Sequence, residues 1–126
     1  MTETKKLEIG KISWMDLTVD DAEGIRDFYC DVVGWKAQDH DMGAYNDYDI
    51  VTPESRETVT GICHARETNA NVPSQWLMYV NVADVDESVE RCLSLGGKVI
   101  DGPRMMGEHR FCVIQDPAGA VIGLVS

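Results

Sequence analysis

The chain has 126 residues, 44% of them hydrophobic, with 11 Lys and Arg against 22 Asp and Glu and a formal net charge of −11. That length and apolar content fit one domain with a real core and exclude wholesale disorder. The acidic balance argues against a nucleic-acid binder, whose affinity comes from cations that neutralise phosphates, and against an anionic membrane surface.

Residues 11–19 alternate, with Met15, Leu17 and Val19 on one face and Ile12, Trp14, Asp16 and Thr18 on the other. That is the period of a half-buried strand. From Asp21 the period becomes helical: Ile25, Phe28, Tyr29, Val32 and Val33 recur on one side, with Asp20 or Asp21 as N-cap and Gly34 as terminator. Strand-like pieces follow near 35–40, 44–51 and 58–64, the last two joined by a turn at 52–55. The polar stretch 65–74 reads as a linker.

The second half replays this order. Residues 76–82 form a strand, and Asp84 with Glu87 makes a capping-box-like start to a helix carrying Val85, Val89, Cys92 and Leu93. Gly96 and Gly97 end it, and strands near 98–101, 109–115 and 120–125 complete the series around a turn at 116–119. Both halves read β-α-β-β-β, which predicts one domain over 1–126 made of modules 8–64 and 75–126. Residue matches at offsets near 62 to 64, such as Met15 with Met78, Cys30 with Cys92 and Gly61 with Gly123, agree with a diverged duplication.

The cysteines Cys30, Cys63, Cys92 and Cys112 form no Cys-x-x-Cys pair, so neither a structural zinc site nor a dithiol redox motif has support. They read as buried free thiols in a reducing compartment. The first residues lack the apolar segment of a secretory signal, and the longest apolar run, Ala120 to Val125, is far short of a membrane span. The expected location is the cytoplasm.

Taken together, Asp21, Phe28-Tyr29, Gly34-Trp35, Trp76, Tyr79 to Val82, Asp84, Gly96-Gly97 and Asp116-Pro117-Ala118-Gly119-Ala120 resemble the vicinal oxygen chelate superfamily over essentially the whole chain. That superfamily includes glyoxalase I, bleomycin-resistance proteins and extradiol dioxygenases. Met42, Gly43, Tyr45, Arg110 and Phe111 are similar to a small bacterial subgroup. The resemblance implies an α+β fold of two βαβββ modules forming a cupped mixed sheet. It places the metal ligands of metal-dependent members at Trp14, Leu77, Gly61 and Gly123, none of which can ligate through a side chain.

The expected function is therefore a glyoxalase/bleomycin-resistance-like protein that binds a small organic ligand in the cup without the usual metal. A metal-dependent lyase or isomerase of glyoxalase I type, with a divalent ion, is the alternative; a ligand-sequestering resistance protein is another. The expected pocket comprises Trp14, Asp16, Gly61, Cys63, Leu77, Tyr79, Arg110 and Gly123, the glycines leaving space. Asp16 is the candidate catalytic acid or base, or an anchor paired with Arg110. His40, His64 and His109 have no metal-ligand spacing and read as surface or capping residues. Exposed sheet edges predict a homodimer.

Overall fold

The computed structural model describes residues 7–126. Among the described residues two α-helices and eight strands follow one another in two βαβββ series, so the α+β class and the order of elements are those expected. Strand β1 covers Ile12–Val19, helix α1 Ala22–Val33, and strands β2 Lys36–Asp41, β3 Asn46–Val51 and β4 Thr58–His64. The second series is β5 Trp76–Asn81, α2 Val85–Ser94, β6 Lys98–Met106, β7 His109–Gln115 and β8 Val121–Val125. A 3-10 turn at Glu67–Asn69 gives the expected linker some structure of its own.

The chain divides into two compact units. One is Met15–Trp76, and the other joins the residues up to Trp14 to Leu77–Ser126. The division cuts β1 itself. Gly10 N donates to Asn81 O at 2.7 Å and Asn81 N to Lys11 O at 2.9 Å, which ties the approach to β1 to the second series. From Asp16 onward the same strand pairs with β4.

In the first unit the strand order is β2-β3-β4-β1, with β1 and β4 parallel and the other pairs antiparallel. Asp16 stands opposite Gly61 and Thr18 opposite Cys63, while Asp49 flanks Gly61 from the other side. Alternation then sends Leu17, Tyr48, Ile50 and Ile62 to the side of α1, where they form a core with Ala22, Ile25 and Tyr29. Ile50 and Ile62 are fully buried, each worth about 1.5–3 kcal/mol over exposure. Trp35 and Trp76 close that core, and Trp76 Nε1 donates to the Tyr29 hydroxyl at 3.1 Å.

Helix α1 starts where Asp21 accepts the Gly24 N–H at 3.0 Å. It stops at Gly34, whose φ of 87° lies in the left-handed region that a Cβ disfavours.

In the second unit the order is β5-β8-β7-β6, again with one parallel pair, β5 with β8. Tyr79 stands opposite Gly123, the position that Asp16 and Gly61 hold in the first unit. Cys112, Ile114, Ile122 and Leu124 point toward α2 and pack with Val85 and Val89. At the start of α2, Asp84 Oδ1 accepts the Glu87 N–H at 3.2 Å, but the Glu87 carboxylate pairs with Arg91 instead. Only half of the capping box forms.

Strand β6 runs to Met106, beyond the expected stop at 101. Its pairing with β7 shifts register on both sides of Asp101. Such irregularities, on the last strand of the order, let Gly102 and Pro103 sit in a strand.

Candidate functional site

Each unit has one sheet face turned away from its helix, and the two faces differ in chemistry. In the first unit, register sets Gln38, Asp49, Gly61 and Asp16 in one row. The next row holds His40, Asp47, Cys63 and Thr18. Thr18 and Asp47 are buried, Asp16, Asp49 and Cys63 are half-buried, and His40 is exposed. His40 Nδ1 lies 3.2 Å from Asp49 Oδ2.

Three carboxylates around one thiol have a direct electrostatic consequence. Burial first, then the charges of Asp16 and Asp47, a hydrogen bond to Asp47 and the charge of Asp49 push the Cys63 thiol up to about 12. A thiol so protonated is a poor nucleophile and a poor metal ligand. The face therefore gathers three carboxylates around a protonated thiol.

The corresponding face of the second unit is filled by its own side chains. Leu77, Tyr79, Phe111 and Val113 are all buried. The Tyr79 and Phe111 rings lie 5.7 Å apart, and the Arg104 guanidinium sits 4.8 Å from the Phe111 centroid while pairing with Asp101 at 3.0 Å.

Several expected pocket residues have other roles. Gly123 does not open space: a Cβ there would lie 2.4 Å from Tyr79 Cδ1, so the glycine seats the tyrosine ring. Leu77 belongs to the buried core. Arg110 alternates with the buried Phe111 and so points to the α2 side, where its Nε and Nη2 reach the two oxygens of Asp86 at 3.1 and 3.0 Å. That fork replaces the expected pairing of Arg110 with Asp16. Trp14 is 39% exposed. Asp16, Gly61 and Cys63 do come together, as neighbours on one face of the first unit.

The site residues missed in the sequence are Asp47, Asp49 and His40. The alternation of Asp47 and Asp49 with Tyr48 and Ile50 signals a polar strand face. Nothing in the sequence states that Asp49 pairs with Gly61, because that register joins residues far apart along the chain.

The four inherited metal positions bring no donor here. The side-chain room at Gly123 is taken by Tyr79, and Leu77 is apolar and buried. Among the described residues no group of three or more His, Cys, Asp or Glu is arranged to hold a metal ion. The residues present do not fit a divalent cofactor at the inherited site. No helix among them is long and apolar enough to cross a membrane.

Two βαβββ series, each packing a helix on one face of its sheet and keeping one parallel strand pair, define a protein of the vicinal oxygen chelate type. Residues 11–124 match the Glyoxalase/Bleomycin resistance protein/Dioxygenase superfamily, and the chain belongs to that family. It is 27% identical to the "Putative glyoxylase CFP32" of Mycobacterium tuberculosis over 126 residues, which is 98% of this chain and 48% of that protein. It is 30% identical to the anthracycline biosynthesis protein DnrV of Streptomyces peucetius over 116 residues, 92% of this chain and 41% of that protein. The chain thus spans about half the length, or less, of these curated relatives. Among solved structures, a variant of Streptomyces coelicolor methylmalonyl-CoA epimerase superposes with a TM-score of 0.50 at 14% identity, covering 94% of this chain and 97% of that one. That likeness concerns the fold.

Proposed function

We propose that this chain is a metal-independent binding protein that receives a small organic ligand on the helix-free face of its first unit. The row of Asp16, Gly61 and Asp49 beside Asp47 carries the reading, because its carboxylates gather negative charge on one sheet face next to the buried Gly61. The Asp49 and His40 side chains, 40% and 55% exposed, give a ligand access. A fitting ligand brings hydrogen-bond donors or a positive charge to these acceptors. The role of DnrV in anthracycline biosynthesis supports an anthracycline as the first probe.

The protein is a cytoplasmic homodimer in this reading. Phe28 and Val32, neighbours on one side of α1, are exposed and supply an apolar patch for a second copy. Light scattering at the mass of two chains supports the dimer, and the mass of one chain across a wide concentration range removes it.

The test of function is calorimetric titration of an anthracycline into the apo protein in chelator, repeated with Asp49→Asn and Asp16→Asn. Saturable binding that weakens at least tenfold in either variant supports the reading. Binding that requires added zinc, nickel or manganese would replace it with a metal-dependent lyase or isomerase. Binding without chemical change of the ligand would fit a sequestering resistance protein.

A further inference from the structure

Where β3 begins and β4 ends, Tyr45, Asp47, His64 and Arg66 meet at one corner of the first unit. Asp47, only 6% exposed, accepts the His64 backbone N–H at 2.8 Å and a hydrogen bond from the Cys63 thiol. The same Oδ1 lies 3.3 Å from His64 Nδ1. Such contacts are often long before a substrate tightens them. A carboxylate held by two further donors cannot swing away from the imidazole.

A carboxylate only accepts hydrogen bonds, so the hydrogen between the pair sits on Nδ1. The lone pair of the neutral ring is then on Nε2, for which no partner occurs among the described residues. The ring is packed by Tyr45 and Tyr48, at centroid distances of 5.5 and 6.1 Å, which limits its rotation. The Arg66 guanidinium lies 4.0 Å over the Tyr45 ring and forms no ion pair among the described residues. An oriented base in the same corner as a cation that forms no ion pair among the described residues suits a reaction in which a proton leaves and an oxyanion develops.

The geometry points to His64 as a general base for hydrolysis of activated carboxylic esters, with Asp47 as its positioning residue and Arg66 as the charge facing the developing oxyanion. Water attacks the ester carbonyl while its proton passes to Nε2, and the carbonyl oxygen gains the electron pair beside Arg66. The tetrahedral intermediate then collapses: the carbonyl re-forms, the carbon–oxygen bond to the leaving group breaks, and the alcohol or phenol departs with the proton from Nε2. Carboxylic acid and alcohol are the products, and no other reactant is needed. This activity shares Asp47 with the acidic face but needs no ligand bound there.

Two measurements on the full chain test it. Long-range proton–nitrogen NMR of the neutral histidines should show His64 as the Nδ1–H tautomer, and Asp47→Asn should abolish that preference. With p-nitrophenyl acetate as probe, the wild type should release p-nitrophenolate at least tenfold faster than equimolar free imidazole. His64→Gln should fall to the free-imidazole level, and Arg66→Ala should lower kcat at least threefold. His109→Ala should leave the rate unchanged. An Nε2–H tautomer at His64, a wild-type rate no greater than that of imidazole, or full activity in His64→Gln each overturns the assignment. The wild-type tautomer decides the matter even if Asp47→Asn does not fold.

Discussion

Tyr79 and Gly123 face each other across parallel strands, and the tyrosine ring fills the volume that a Cβ on Gly123 would need, 2.4 Å from Cδ1. The equivalent pair in the first unit is Asp16 and Gly61, a carboxylate opposite a glycine. One duplicated register thus carries an aromatic ring in one unit and an ionisable group in the other. The glycine is required in the second unit for packing, and this fits that face being core.

The first prediction follows from that contact. Gly123→Ala forces the buried Tyr79 ring to move against Phe111 and should cost about 1–3 kcal/mol, as overpacking usually does. Urea titration should show a lower midpoint with an unchanged slope. Combining it with Tyr79→Ala should cost less than the two single changes added together, because the clash is gone. Additive effects would mean that the ring does not rest on Gly123.

Two thiols, Cys63 and Cys112, should make stability fall at alkaline pH. Burial, reinforced by Asp16 and Asp47, pushes Cys63 up to about 12, and burial with Asp101 pushes Cys112 up to about 11. Both lie above the value near 8.5 of an unfolded thiol, so the native state holds these protons more tightly. Their contribution is intact below about pH 8.5 and is lost as pH rises toward 11 and then 12. The urea midpoint should therefore fall steadily above pH 9, and Cys63→Ala should flatten that fall. A slope identical in Cys63→Ala would contradict the shift.

Two acidic residues near the start of α2 should behave differently. Asp84 caps the helix, so Asp84→Ala should lower stability by about 1 kcal/mol. Arg110→Met breaks the fork to Asp86 at the surface and should leave anthracycline affinity unchanged, since that fork lies on the α2 side of its sheet. A loss of affinity in Arg110→Met would return Arg110 to the ligand site.

The metal status is open to direct measurement. Elemental analysis after purification without chelator should find well under one zinc, nickel, manganese or iron per chain. Dialysis against chelator should leave the melting temperature where it was. One ion per chain that raises the melting temperature on return would overturn the metal-independent reading.

The order of elements was legible from local signals alone. Asp21 and Gly34 bracket α1 because a side-chain acceptor and a left-handed glycine act within a few residues of the groups they serve. Strand alternation likewise put Leu17 and Asp16 on opposite faces, and the structure buries Leu17 against α1. The start of α2 at Asp84 was equally local, although the return bond from Glu87 was not, since Arg91 competes for that carboxylate one turn later.

The chemistry of the faces was decided by tertiary structure. A glycine in a strand means either open space or a ring seated on it, and only the register of β5 with β8 chooses the ring for Gly123. Arg110 looked like a partner for Asp16 until the pleat turned it to the α2 side within reach of Asp86. Asp49 and Asp47 joined the site because β3 pairs with β4, and His64 gained its carboxylate from the same pairing. By itself the sequence determined the elements, their repeat and the family, since caps, period and turn residues act over short separations. The company each ionisable side chain keeps was decided by the fold, because cross-strand pairing joins residues whose separation along the chain carries no local signal.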